Sequence, residues 1–236
     1  MVKTYGRFEG GAHEQAARPM VIRSVVFDIG ETLLDDTREF GAWADWIGVP
    51  RHTFSALLGV VVAQGRNNAE TFQYFRPGFD LETERARREK ADVGEQIDDR
   101  DLYPDVRPAL AELRLRGVWV GIAGNQTARA AQLLRRLNLP VDGVATSGEW
   151  RVAKPAPQFF ERVVAFAPGG PAEIAYVGDH RDHDVVAAHR AGIAPVLIRR
   201  GPWGHLWGDD PITTAIARWV IDSLAELPDL LRPHAR

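Results

Sequence analysis

The chain of 236 residues contains no cysteine. That excludes a disulfide framework, a thiolate zinc site and a cysteine nucleophile, so any metal must be held by oxygen or imidazole ligands. Long hydrophobic runs are missing as well. The longest, Ala56 to Ala63, falls far short of the ~20 residues that span a bilayer. Positive charge is not in excess: 29 basic against 32 acidic side chains leave a formal charge of −3. Such a balance gives no general attraction to nucleic acid or to an anionic membrane surface. Lysine is scarce. Only Lys3, Lys90 and Lys154 occur, and arginine supplies nearly every other positive charge.

What is present suffices for a buried core, with 45% hydrophobic and 26% charged residues. Residues 1–20 carry Gly, His, Glu, Gln and scattered Arg without an apolar run, so they do not form the hydrophobic region of a signal peptide. They are expected to be a flexible leader, with Met20 as an alternative start, and the expected compartment is the cytoplasm.

Val21 to Phe27 is a short, largely β-branched run that ends at Asp28-Ile29-Gly30, the pattern of a buried parallel strand with a polar residue at its carboxyl end. The pattern recurs at Gly117 to Ala123, Ala172 to Val177 and Ala194 to Ile198. Helical patterns lie between them at Arg107 to Leu115, Thr127 to Leu137, Pro157 to Phe166 and Asp182 to Ala191, and Ala217 to Leu231 suggests a last strand and a closing helix. This alternation predicts an α/β fold built on a doubly wound parallel sheet, Rossmann-like in its core. Ligands of open sheets bind beyond the carboxyl ends of the strands. Asp28, Asn125 and Asp179 all fall there, so three loops distant in sequence are expected to form one site.

One stretch breaks the alternation. Residues 36–102 lack convincing strands and carry helical patterns near Arg38 to Ile47, Thr53 to Ala63 and Leu81 to Ala91. They are expected to be an inserted α-helical cap on a core made of residues 21–35 and 103–236. The mixed charges of Leu81 to Lys90 predict a solvated helix face. Trp203 and Trp207, in a loop expected over Gly201 to Gly208, are read as covering the edge of the core.

The segment Phe27-Asp28-Ile29-Gly30-Glu31-Thr32-Leu33-Leu34 resembles the first motif of the haloacid dehalogenase superfamily of hydrolases. Ile122-Ala123-Gly124-Asn125 is similar to its second motif, Lys154-Pro155-Ala156-Pro157 to its third, and Val177-Gly178-Asp179-His180-Arg181-Asp182-His183-Asp184 to its fourth. The four stand in the right order between Val21 and Gly201. The resemblance implies a phosphatase with a helical cap of the C1 type, acting on a small phosphorylated metabolite, with Asp28 as the nucleophile and Mg²⁺ as cofactor.

The residues suit those roles. A carboxylate at a strand end can attack phosphorus and divide hydrolysis into formation and breakdown of an aspartyl-phosphate. Phosphate repels that carboxylate, so a cation and fixed positive groups must neutralise the approach. Mg²⁺ takes one or two carboxylates, keeps water and completes its shell with phosphate oxygen. Asp28, one of the pair Asp179 and Asp184, and the main-chain carbonyl that the resemblance assigns at Gly30 would serve; the competing role for Asp179 is a helix N-cap. Lys154 suits a bridge between Asp28 and phosphate, because an ammonium is a compact charge where guanidinium is a planar fork. Thr32, Gly124 and Asn125 complete the expected phosphate site, although Thr32 could pack under the loop and Asn125 could cap the helix near Thr127. His180 and His183 are read as exposed residues of a loop and a helix start.

Two positions depart from the resembled pattern. Phosphatases of the superfamily carry a second aspartate two residues after the nucleophile, which protonates the leaving oxygen and then activates water; here it is Gly30. General acid–base help is worth roughly 10² to 10⁴ in rate, so a slow or selective enzyme is expected. Glu31 issues from the neighbouring backbone position, which argues against its substituting. Gly124 replaces a hydroxyl residue and removes a side-chain donor to phosphate. Three alternatives stay open: phosphonatase chemistry through a Schiff base on Lys90, dehalogenase chemistry, and a binding protein with a degraded site.

Overall fold

Val25, Val26 and Phe27 have no exposed surface, as expected of a strand covered by helices on both faces. In the computed structural model, which describes residues 21–232, six such segments form one sheet. They are β1 (Ser24–Phe27), β2 (Trp119–Gly124), β3 (Gly143–Thr146), β4 (Ile174–Gly178), β5 (Ala194–Ile198) and β6 (Trp219–Ile221). All neighbours pair in parallel, in the order β3-β2-β1-β4-β5-β6. The expected leader, residues 1–20, lies outside the described residues. No single described helix is long and apolar enough to cross a membrane.

β3 goes beyond the sequence reading. It is an edge strand of four residues, half of them only partly buried, so it lacks the continuous apolar run that marks its neighbours. The strand order also locates the crevice. From β1 the chain runs outward through β2 to β3, then returns to β4 on the other side, so the direction of winding reverses between β1 and β4. Asp28 follows β1, and Asp179 follows β4, whose Val177 is in register with Phe27.

Residues 36–102 hold four helices: α1 (Thr37–Ile47), α2 (Arg51–Ala63), α3 (Thr71–Phe75) and α4 (Leu81–Lys90). α1 stops at Gly48, whose φ of 75° is left-handed, a conformation that costs glycine little and other residues more. These helices enclose an aromatic cluster of their own. Phe72 stacks on Phe79 with ring centroids 4.5 Å apart, and Trp43 meets Phe72 edge-on at 5.1 Å. α4 is mostly solvated as expected, with one exception: Arg88 is buried, its guanidinium 4.1 Å over the Trp43 ring and 2.8 Å from Glu39. The segment leaves and rejoins the sheet through adjacent strands of chain, where Asp35 N donates to Asp101 O at 2.7 Å.

The remaining helices are α5 (Val106–Leu115), α6 (Ala128–Arg136), α7 (Ser147–Trp150), α8 (Pro157–Phe166), α9 (Ala187–Arg190), α10 (Gly201–Trp207), α11 (Pro211–Ile216) and α12 (Leu227–Leu230). α9 is preceded by a π-helical turn, Arg181–Val186. α10 corrects the loop expected over Gly201 to Gly208: Pro202 in its first turn fixes φ for a helix, and Trp207 faces inward as a buried residue.

Candidate active site

Asp28, Lys154, Asp179 and Asp184 converge beyond the carboxyl ends of β1 and β4. Lys154 Nζ lies 2.7 Å from Asp28 Oδ1 and 2.6 Å from Asp184 Oδ1. Asp184 accepts a second bond through Oδ2 from His180 N, at 2.9 Å. The ammonium is only 3% exposed and the Asp184 carboxylate 0%. Burial that deep is costly for a charge unless a partner compensates it, and here the partners are carboxylates on both sides.

Asn125 fixes Lys154 through its backbone. The Asn125 amide donates from Nδ2 to Lys154 O at 3.0 Å, and its Oδ1 accepts from Lys154 N at 2.8 Å. The helix-cap alternative for Asn125 is corrected: Thr127 caps α6, its hydroxyl accepting from Ala130 N at 3.0 Å. Nor does Asp179 serve as a cap. His180 Nδ1 takes that place, accepting from Asp182 N and His183 N. The expected exposure of His180 and His183 is likewise corrected, since the two rings stack at 3.9 Å and are partly buried, with Trp207 4.9 Å from His180. Thr32 is fully buried. Its carbonyl accepts from Arg200 Nη1 at 2.7 Å, and its hydroxyl has no hydrogen-bond partner among the described residues.

Three buried carboxylates share one ammonium, so negative charge is in surplus. Burial, with the charge of Asp184, raises Asp28 to about 6 despite Lys154. Burial and the charges of Asp184 and Asp28 push Asp179 well above the ordinary carboxylate range. Burial disfavours the Lys154 ammonium, but Asp184 and Asp28 outweigh it and raise its pKa. A divalent cation with oxygen ligands answers this surplus. One ligand atom from each of Asp28, Asp179 and Asp184 lies within 4.8 Å of the others. Asp179 Oδ2 is buried with no hydrogen-bond partner, a costly state for a carboxylate oxygen unless something outside the chain meets it. The donor set therefore fits Mg²⁺.

The two glycines that depart from the resembled motifs have spatial explanations. A β-carbon on Gly124 would lie 2.2 Å from Asp28 Oδ1, so the Asp28 carboxylate stands in the room where a side chain at residue 124 would begin. A β-carbon on Gly30 would lie 2.6 Å from Asp36 Oδ2. Asp36 is the main feature that sequence reasoning missed. Its signal in the sequence is the Asp35-Asp36 pair directly after the first motif, at the border of the helical segment. Burial and the charges of Glu31, Asp28, Glu39 and Asp35 hold its pKa well above the usual range. Glu31 is turned elsewhere, with φ of 51° and Oε2 accepting from Tyr103 OH at 2.6 Å.

A cleft of about 630 Å³ opens between the helical segment and the sheet edge. Asp36, Phe40, Trp43 and Arg85 line one side, and Asn125 and Arg129 the other. Lys90 is exposed and does not line it, which removes the residue on which phosphonatase chemistry would depend.

The model of one known family, the haloacid dehalogenase-like hydrolases, matches residues 22–192. The chain belongs to that family. Among curated relatives of this hydrolase, a ribulose-1,5-bisphosphate 5-phosphatase from Halopiger xanaduensis is 32% identical over 174 residues, covering 69% of the hydrolase and 72% of the relative. A glyceraldehyde 3-phosphate phosphatase from Methanopyrus kandleri is 34% identical over 139 residues, covering 57% of the hydrolase but only 58% of that enzyme. A haloacid dehalogenase-family hydrolase from Bacillus subtilis, solved bound to magnesium, superposes with a TM-score of 0.67 at 17% identity, over 90% of this chain and 100% of that one. At that identity the likeness shows the fold.

Proposed function

We propose that this hydrolase is a Mg²⁺-dependent phosphatase of small phosphorylated metabolites, working through an aspartyl-phosphate on Asp28. The observation that carries the reading is the placement of Asp28 at the winding reversal of the sheet, 2.7 Å from a buried ammonium and beside the unpaired oxygen of Asp179. The curated relatives' names, both phosphatases of sugar or triose phosphates, support the substrate class.

In this reading Asp28 attacks phosphorus from the carboxyl edge of the sheet. Lys154, locked by Asn125, keeps the attacking carboxylate in place and compensates charge gathering on the phosphoryl oxygens. Asp28, Asp179 and Asp184 hold Mg²⁺, with the Gly30 carbonyl as a further ligand. When bound, the cation supplies the charge neutralisation that lets a dianion approach a carboxylate. Gly124 and Asn125 form the phosphate side of the site, where Gly124 offers its backbone N–H, and Thr32, fully buried, supports the loop from beneath. Residues 36–102 act as the cap over the cleft. Gly30 itself can protonate nothing, so turnover is slow or selective for good leaving groups to the extent that no other side chain stands in.

The test is hydrolysis of acetyl phosphate and 4-nitrophenyl phosphate with and without Mg²⁺, in the native protein and in Asp28→Asn. Turnover that needs both Mg²⁺ and Asp28 is expected. Turnover indifferent to Asp28→Asn would sink the proposal.

A further inference from the structure

The loop after β1 has no side chain at residue 30, yet the space for one is filled from elsewhere. A β-carbon on Gly30 would meet Asp36 Oδ2 at 2.6 Å and its Cγ and Oδ1 at 3.4 Å. The Asp36 carboxylate thus occupies the volume where a residue-30 side chain would begin, two residues from the nucleophile along the chain. A side chain at residue 30 would displace the Asp36 carboxylate from this position, and glycine leaves the space to it.

Of the other carboxylates close to this point in sequence, Glu31 is engaged by the Tyr103 hydroxyl at 2.6 Å, and Asp35 accepts from Thr37 N at 2.8 Å. Asp36 has no such partner. Its carboxylate forms no hydrogen bond and no ion pair among the described residues, although it is half-buried and lines the cleft that also contains Asn125. Asp36 stands just before α1, and the neighbouring Asp35 N is fixed to Asp101 O at 2.7 Å where the helical segment rejoins the sheet. The carboxylate is therefore held at the base of the cap and directed to the nucleophile's loop.

We propose that Asp36 is the acid–base residue of this hydrolase, delivered from the cap in place of a side chain at residue 30. The inference rests on the aspartyl-phosphate reading. As Asp28 bonds to phosphorus, the bond from phosphorus to the leaving oxygen breaks, its electron pair stays on that oxygen, and the Asp36 carboxylic acid protonates it. In the second step Asp36 takes a proton from water as the water oxygen bonds to phosphorus. The bond from phosphorus to Asp28 then breaks with its electron pair returning to Asp28. Alcohol and inorganic phosphate are the products, and every group of the enzyme returns to its starting state.

A merely structural Asp36 would not discriminate between leaving groups, and this makes the proposal testable. With Mg²⁺ present, kcat/KM is measured for acetyl phosphate, 4-nitrophenyl phosphate and glycerol 2-phosphate in the native enzyme, Asp36→Asn, Asp36→Ala, Gly30→Asp/Asp36→Ala and Asp28→Asn. Asp36→Asn should lower the glycerol 2-phosphate value by about 10² or more and the acetyl phosphate value by less than about threefold, since a good leaving group needs little protonation. The double variant clears the Asp36 carboxylate from the space beside residue 30, and it should recover at least about tenfold of what Asp36→Ala loses on glycerol 2-phosphate. An equal loss on all three substrates in Asp36→Asn, or no loss, overturns the assignment; so does a native enzyme that hydrolyses acetyl phosphate but not glycerol 2-phosphate. Activity that survives in Asp28→Asn instead defeats the underlying reading, so the two failures are distinguishable.

Discussion

The helical segment and the sheet edge are stabilised by opposite means. In the segment, aromatic rings bury one another and, Arg88 and Asp101 apart, most charges stay at the surface in pairs such as Arg85 with Glu82 and Arg51 with Asp45. Pairs of that kind contribute little individually. At the sheet edge the charges themselves are buried, as Asp28, Lys154, Asp179 and Asp184, with one ammonium for three carboxylates. The segment is built like a small core, whereas the edge carries a surplus of buried negative charge that a divalent cation would relieve.

The contrast is broken most forcefully at Lys154. Lys154→Met keeps length and removes the charge, leaving three buried carboxylates without a cation. Unfolding in denaturant should show a loss of about 3–5 kcal/mol without Mg²⁺. Activity should fall by roughly 10² or more. Lys154→Arg should not restore it, because a planar fork does not fit between Asp28 and Asp184 as a point charge does.

Trp43→Ala attacks the other region. It removes a ring packed on Phe72 and beneath Arg88, and should cost about 3–5 kcal/mol by the same measurement. Mg²⁺ affinity, read by calorimetry, should change by less than about threefold, because none of the cation's ligands touches that cluster. A large fall in affinity would mean that the two regions are energetically one.

The smallest expected effect concerns pH. Burial raises Asp28 to about 6 and Asp179 well above its ordinary value. A group whose folded-state pKa is raised keeps its proton in the folded chain after the unfolded chain has lost it. Metal-free stability should therefore decline as pH rises through roughly 4 to 6. Mg²⁺ would compete with those protons, so at one fixed Mg²⁺ concentration its stabilising increment, about 2.7 kcal/mol where that concentration is a hundredfold over Kd, should be larger at pH 7.5 than at pH 5. Thermal unfolding with and without Mg²⁺ checks the sign.

The two regions also differ in how far the sequence discloses them. At the sheet edge, a polar residue ending an apolar run marks Asp28 and Asp179, and the scarcity of lysine marks Lys154. Each is set by local chemistry that any reader of the chain can see. Asp36 was not visible in this way. Its relation to Gly30 depends on how the chain turns through Leu33 to Asp35, and a missing side chain in sequence gives no hint of what fills its place. Gly124 read as a lost donor for the same reason. In the helical segment the helices were legible from their period, but the burial of Arg88 within a charged run depends on Trp43 and Glu39, 45 and 49 residues away. The edge strand β3 was too short and too exposed to show a pattern.

The central claim is that Asp28 becomes phosphorylated. The most direct measurement is acid quenching of the Mg²⁺-loaded enzyme during turnover of ³²P-labelled acetyl phosphate, followed by peptide mapping. The account requires a hydroxylamine-sensitive label on the peptide containing Asp28, absent from Asp28→Asn. A label on any other residue, or undiminished turnover in Asp28→Asn, would contradict it.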